Sequence, residues 1–229
     1  MKLSIIIPTL NEAEVLSETF DRLKKEGDTE IIVVDGGSRD QSVEIARKYS
    51  DKVYIVPPGR AGQMNFGARQ ADGDILLFLH ADSVPDEGGI QKAIASFSDP
   101  TVVGGAFQLQ FNTQRFALRL IARFANIRTR MTRVPYGDQG LFILKRTFES
   151  LGGFPEVPIM EDVLMAIKMK QSGKIRLLRE KIVTSARRWE KEGLFRTTIQ
   201  NRLLMIGFGL GVSPVKLAEF RRSRHEMKR

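Results

Sequence analysis

Four short apolar stretches divide the first hundred residues, and each is followed by a turn. Residues 3–7 are apolar and β-branched and stop at the turn Pro8 to Asn11. Residues 12–25 then carry Val15, Leu16, Phe20 and Leu23 at the spacing of one helix face. Residues 30–34 predict a second strand and 40–49 a second helix. Residues 53–56 predict a short third strand ended by Pro57 and Pro58, 61–70 a third helix and 75–79 a fourth strand. A βαβαβαβ order calls for a parallel sheet with right-handed crossovers. Beyond Asp99 and Pro100 the pattern changes. It predicts a longer strand over 102–111 kinked at Gly104-Gly105, a helix over 116–131, and short strands over 142–144, 175–178 and 181–184. An amphipathic helix follows Asp162 through Val163, Leu164, Ile167 and Met169, and two helices broken near 207–214 end the chain. No internal repeat or low-complexity linker interrupts this order, so one domain is expected.

Three acidic positions close hydrophobic stretches: Asp35 after IIVV, Asp82 after ILLFLHA and Asp162 after PIME. In an open α/β sheet ligands bind beyond the carboxyl ends of the strands. Carboxylates there can hold a base edge, a divalent metal and a reacting hydroxyl, which points to an enzyme handling a nucleotide-diphosphate substrate. In Asp35-Gly36-Gly37-Ser38 the glycines admit close backbone approach and Asp35 can accept from a base or ribose; alternatively the segment is a helix-start turn capped by Ser38 or Asp40. In GRAGQMNFGARQADGD, Arg60 at a helix start suits a diphosphate, while Gly67 and Ala68 equally suit helix packing. His80-Ala81-Asp82 follows the most apolar strand. Mg²⁺ and Mn²⁺ take one or two carboxylates plus substrate phosphates, a role open to Asp82. Glu161-Asp162 begins a helix, where a carboxylate favours the helix dipole or serves as general base.

Composition narrows the classes. The 229 residues are 42% apolar and 28% charged, ordinary for a globular protein, and the absence of cysteine excludes disulfides, thiolate metal sites and cysteine nucleophiles. The N-terminus reads as strand and turn rather than a secretory signal, and the longest apolar run, 203–212, is about half the ~20 residues that span a bilayer. A cytoplasmic protein, soluble or peripheral at the inner membrane face, is expected. The net charge of +9 is uneven: 100–137 contains six arginines and no acid, and 221–229 adds five basic residues against Glu226. On a helical wheel Arg115, Arg119, Arg123 and Arg130 share one side, and Phe116, Leu120, Ile121, Phe124 and Met131 fill much of the other. Such a helix lies at a membrane surface, or its apolar face completes the core; the same choice applies to 203–212.

The ordered motifs SIIIPTLNE, IIVVDGGSRD, GRAGQMNFGA, DGDILLFLHAD and a late MED resemble glycosyltransferase family 2, over about residues 3–190. More narrowly, GRAGQMNFGA, LHAD, PYGDQGLF and RRWEKEG resemble a bacterial subfamily linked with arsenosugar biosynthesis clusters. The resemblance implies an α/β GT-A fold, a Rossmann-like nucleotide-diphospho-sugar transferase with a mostly parallel sheet flanked by helices. It implies a domain over 1–190, with a nucleotide-sugar half (1–99) and an acceptor half (100–190), and a helical extension with a basic tail over 191–229. By position, Pro8, Glu12, Asp35, Arg60, His80 and Asp82 would meet the nucleotide-sugar donor. Asp82 would hold Mn²⁺ or Mg²⁺, Asp162 would be the catalytic base beside Glu161, and Asp138, Gln139, Arg188 and Trp189 would shape the acceptor side. His80 departs from the family's DxD motif, and Ser185 departs from the QxxRW of processive members, which favours a single sugar transfer, metal-assisted and inverting. The acceptor is expected to be lipid-linked or amphiphilic. A nucleotidyltransferase would show a Gly-rich N-terminal loop, and 8–14 has no glycine. A non-catalytic basic binding protein is the other rival, but no nucleic-acid signature accompanies the charges, so no nucleic-acid partner is expected.

Overall fold

The computed structural model describes residues 1–23 and 29–226; the expected end of the first helix at 24–25 and the last three residues of the basic tail lie outside the described residues. The front half alternates as its pattern predicts: β1 (Leu3–Thr9), α1 (Ala13–Leu23), β2 (Glu30–Asp35), α2 (Ser42–Arg47), β3 (Lys52–Ile55), α3 (Arg60–Gln70) and β4 (Ile75–Phe78). These strands pair in parallel in the order β3-β2-β1-β4. There follow β5 (Ser83–Pro85), α4 (Gly89–Ala95), β6 (Val102–Phe111), α5 (Phe116–Thr132), a 3₁₀ turn (Gly137–Gln139), β7 (Leu141–Leu144) and α6 (Lys145–Ser150). The chain then continues through α7 (Glu161–Ser172), β8 (Lys174–Thr184), α8 (Arg187–Glu192), α9 (Leu194–Gly209) and α10 (Pro214–Glu226).

The sheet extends as β4-β7-β6-β8-β5, with β7 antiparallel to both neighbours and β5 antiparallel to β8. Successive side chains of a strand point to opposite faces, so a strand that is apolar at every position needs a layer on each side. Ile5, Ile7, Val33 and Leu77 face a core made with Leu16 and Phe20 of α1, Ile90 of α4 and Leu118 of α5. Ile6, Ile32, Val34, Leu76 and Phe78 face a second core made with Met64 and Ala68 of α3, Phe148 of α6 and Met165 of α7. Gly67 belongs to that second packing, since a Cβ there would lie 2.6 Å from Ile6 Cγ2.

Three elements carry no periodic signal. β5 is three residues made a strand by pairing with β8, and α4 and α6 are single short helices. The two expected strands 175–178 and 181–184 are one, β8. Between the pairs Ala106↔Leu177 and Gln108↔Lys181, two residues of β6 advance against four of β8, so the apparent gap is a bulge. A further short helix, α8, precedes the two expected at the end.

The antiparallel pairing of β7 places the site. Phe78 at the end of β4 lies opposite Leu141 at the start of β7, so the turn entering β7 sits beside the loop leaving β4. Gly104 and Gly105 let β6 and β7 close. A Cβ on Gly105 would lie 2.1 Å from the Arg176 carbonyl oxygen and 2.3 Å from Phe142 Cζ. Because a backbone atom blocks the space, Gly105→Ala is expected to cost about 3 kcal/mol or more in urea unfolding. Gly62→Ala inside α3, where a Cβ meets nothing within 4 Å, should be neutral or stabilise by up to about 1 kcal/mol.

Candidate functional site

The carboxyl ends of β1 and β2 form one wall. Asp35 is 1% exposed, and its carboxylate is ringed by donors: Gly37 N (2.8 Å) and Ser38 N (2.7 Å) to Oδ1, Thr9 Oγ1 (3.1 Å) and Ser38 Oγ (2.5 Å) to Oδ2. Asp35 therefore builds the turn after β2, and a base contact requires the Ser38 hydroxyl to turn away. Asp40 holds the start of α2 through Ser42. Gln63 of α3 joins the strand ends, donating through Nε2 to Thr9 O (2.9 Å) and Val34 O (2.8 Å). Pro8 is half-buried on the same edge, opposite Val34. Glu12 is held by Arg187 of α8, which also reaches Glu14 at 2.6 Å; burial raises the Glu12 carboxyl against the pull of that arginine.

The second wall gathers four separate segments. Arg60, first residue of α3, contacts His80 Nε2 through its guanidinium and lies 3.4 Å from Glu161 Oε1 through Nε. Arginine only donates, so a hydrogen bond between the two requires the His80 tautomer that carries its proton on Nδ1 and accepts at Nε2. Burial, then the charges of Arg60 and Arg188, lower the His80 pKa well below its usual value and keep the ring neutral. Glu161 is 6% exposed and burial raises its pKa, with Arg60 opposing. Asp162 is half-buried: Oδ2 accepts from Gly137 N at 2.6 Å, and Oδ1 from Val163 N at 2.8 Å. Met160 just before them adopts φ +68, in the left-handed region that a non-glycine residue seldom enters, and this turns the pair into the site. Asp82 is half-buried, and its Oδ1 lies 3.3 Å from Thr184 Oγ1. Arg60, Gly137 and Asp162 line a cleft with Met64, Phe78, Leu79, Leu141 and Phe154. Asn65 fixes Phe154 by a reciprocal pair, Nδ2 to Phe154 O (2.9 Å) and Phe154 N to Oδ1 (2.8 Å).

The proposed acceptor residues divide. Asp138 is half-buried beside Asp162; burial pushes its pKa up to about 6, with Arg128 opposing and the Asp162 charge adding. Gln139 is 1% exposed and acts as a strut: Oε1 accepts from Thr129 Oγ1 (2.7 Å), Tyr136 N (3.2 Å) and Arg128 Nη2 (3.3 Å). Arg128 also lies 3.1 Å over the Tyr136 ring, joining α5 to the Gly137 turn. Arg188 is exposed on α8 and acts on His80 through its charge, whereas Trp189 packs edge-on against Phe111, centroids 5.7 Å apart. Sequence reading missed Arg187, Gln63, Arg128 and Tyr136. Arg187 adjoins the RW pair, Gln63 lies inside the GRAGQMN motif, and Arg128 looked like one more surface charge. Among the described residues no three His, Asp or Glu side chains gather to cage a metal, and no helix is long and apolar enough to cross a membrane.

Residues 4–152 match the family described as Glycosyl transferase family 2. The O-antigen chain rhamnosyltransferase RfbN of Salmonella typhimurium is 27% identical over 195 residues, covering 76% of this chain and 62% of that protein. The glycosyltransferase AglE of Haloferax volcanii is 30% identical over 172 residues, covering 66% and 55%. The chain thus spans less than two thirds of the length of these relatives. Among solved structures, S. aureus TarS 1–349 superposes with a TM-score of 0.65 at 21% identity, covering 81% of this chain and 61% of that one. Mannosyltransferase PcManGT from Pyrobaculum calidifontis, solved with GDP-Man and Mn²⁺, gives 0.61 at 23%, covering 80% and 56%. The fold is the expected α/β GT-A type, with a mostly parallel sheet flanked by helices.

The raised Asp138 pKa has a stability consequence. Between the ordinary 3.8 and about 6 the folded protein keeps a proton that the unfolded chain has released, so stability falls as pH rises through that window. Asp138→Asn should flatten this fall in urea midpoints measured across it; an unchanged slope would mean that Asp138 titrates normally.

Proposed function

The chain belongs to glycosyl transferase family 2, and we propose that it moves a single sugar from a nucleotide-diphosphate donor to an acceptor hydroxyl, with inversion at the anomeric carbon. The observation that carries this reading is the division within the Glu161-Asp162 pair. Glu161 is buried against Arg60, while Asp162 stands in the cleft with one oxygen aligned by the Gly137 N–H. A fixed carboxylate in a cleft, bordered by a guanidinium and a neutral imidazole, suits a general base facing a leaving diphosphate.

In this mechanism Asp162 takes the acceptor proton as the acceptor oxygen bonds to the anomeric carbon. The bond from that carbon to the donor's phosphate oxygen breaks, and its electron pair leaves with the nucleoside diphosphate. Arg60, oriented by Glu161 and His80, faces the departing charge. Pro8, Glu12 and Asp35 line the nucleoside side, with residues 1–99 serving the donor and 100–190 the acceptor. Asp138, Arg188 and Trp189 border the acceptor, Gln139 holds the turn beneath it, and α9 and α10 form the helical extension. Mg²⁺ and Mn²⁺ sites that use one or two carboxylates plus substrate phosphates fit Asp82, around which no carboxylate cage gathers among the described residues. A divalent ion there supplies Lewis-acid neutralisation of the leaving diphosphate. Ser185, where processive members carry glutamine, supports one transfer per acceptor. The GRAGQMNFGA, LHAD, PYGDQGLF and RRWEKEG motifs support membership of the subfamily linked with arsenosugar biosynthesis clusters. We read the acceptor as lipid-linked or amphiphilic, met at the inner face of a membrane, because basic α5 leads directly into the Gly137 turn.

Asp162→Asn should lower turnover by roughly 10²–10⁴-fold while donor binding survives; unchanged turnover would remove Asp162 from the role. In thermal melts against UDP-, GDP-, dTDP- and CMP-sugars, the cognate donor at ~100 times its dissociation constant should stabilise the fold by about 2.7 kcal/mol. The part of that shift that needs Mn²⁺ or Mg²⁺ should vanish in Asp82→Ala; a shift indifferent to both ion and substitution would take the ion away from Asp82.

A further inference from the structure

Helix α5 is apolar on two opposite sides. Leu118, Ala122 and Thr129 face inward and are buried, with Ile121 and Ala125 partly buried against the same core. Phe116, Leu120, Phe124, Ile127 and Met131 form a second strip that the structure leaves in solvent, with Phe116 75% and Met131 80% exposed. At 3.6 residues per turn these five fall within about 80° of arc, nearly opposite the buried strip. The expectation that this apolar face completes the core therefore fails for four of the five residues first assigned to it, Ile121 excepted. Between the two strips runs a row of exposed arginines: Arg115, Arg119, Arg123 and Arg130. Among the described residues Arg115 meets Glu190 at 3.6 Å, while no carboxylate comes within ion-pair distance of Arg119, Arg123 or Arg130.

Helix α9 likewise leaves an apolar strip in solvent, opposite a buried side that is mainly polar. Thr197, Gln200 and Leu204 are buried, and Ile199, Leu203, Ile206 and Leu210 form one exposed strip. The charge of Arg202 in α9 reaches Arg128 and Tyr136, so α9 lies near the turn to which α5 leads. That turn supplies the Gly137 N–H to Asp162.

We propose that the outer strip of α5, with that of α9, is a docking surface for an anionic lipid bilayer, which brings the cleft to a membrane-borne acceptor. The charge pattern selects this occupant. An apolar strip edged by unpaired arginines matches acyl chains below and anionic headgroups at the rim. A second copy packed antiparallel on this strip would bring its own arginine row against this one, like charge facing like charge, whereas anionic headgroups neutralise the row in any orientation. The proposal rests on the amphiphilic-acceptor reading for its purpose, but binding can be measured without turnover.

The test is flotation of the full chain with phosphatidylcholine vesicles, with and without phosphatidylglycerol. The protein should float only with the anionic vesicles, and less so at high salt. Replacing Arg119, Arg123 and Arg130 together by Gln should lower partitioning on the order of a hundredfold. Replacing Phe116, Phe124 and Met131 together by Ser should lower it at least about tenfold. Both variants should keep the wild-type melting temperature and donor-induced shift, which separates a lost surface from a lost fold. Wild-type protein that stays at the bottom with anionic vesicles would overturn the proposal. So would a dimer in sedimentation that only the Ser variant dissociates, since a second copy would then own the face. Failure of the transferase reading would show instead as turnover indifferent to Asp162→Asn, with flotation unaffected.

Discussion

The four residues of β4 set the constraint on which the rest of the molecule depends. All four are buried, on both faces of the sheet, with β1 hydrogen-bonded in parallel along one edge and β7 antiparallel along the other. An antiparallel neighbour delivers its entry loop where the central strand delivers its exit loop. That fact brings Gly137 to Asp162 and both to the neighbourhood of His80. Had β7 run parallel, its entering turn would lie at the far end of the sheet.

Within that edge, electrostatics is organised around one guanidinium. Arg60 meets Glu161 and His80 and lies close to the Gly137 turn, so a helix of the front half orients groups from a loop and a helix of the back half. The two neighbouring carboxylates consequently differ: Glu161 is buried and tied, Asp162 is reachable and held by a backbone N–H. The same principle appears at Asp35, where complete satisfaction by local donors makes a structural carboxylate of a residue also placed to meet a ligand. Burial without partners costs several kcal/mol, so each of these groups is held by hydrogen bonds, an ion pair or both.

The fold was legible where periodicity was strong. β1 to β4 and the long helices α3 and α5 follow from alternation and three-to-four spacing, because tertiary packing there reinforces local pattern. β5 and α4 were not legible, since β5 exists only by pairing with β8 and α4 spans seven residues. The candidate site was legible as a set of residues at the end of a strand, His80 and Asp82, and at helix starts, Arg60 and Asp162, although the apolar stretch before Asp162 is a loop and not a strand. Its internal wiring was not. That Gln63 ties Thr9 to Val34, or that Arg187 holds Glu12 across 175 residues, is a matter of three-dimensional proximity that spacing does not encode. The outward strip of α5 was visible as amphipathicity, but a helical wheel cannot tell which of two apolar faces meets the core.

The stretch that matches the family ends at residue 152, yet the sheet does not. β8 pairs with β6 from Val102 to Phe111 and alone carries β5, while α7 brings Asp162 and α8 the arginine that secures Glu12. A fragment cut at the family boundary would expose a ten-residue strand edge, unseat the second core at Met165 and Met169, and leave Glu12 without the arginine that holds it. The segment that matches the family is thus smaller than the folding unit.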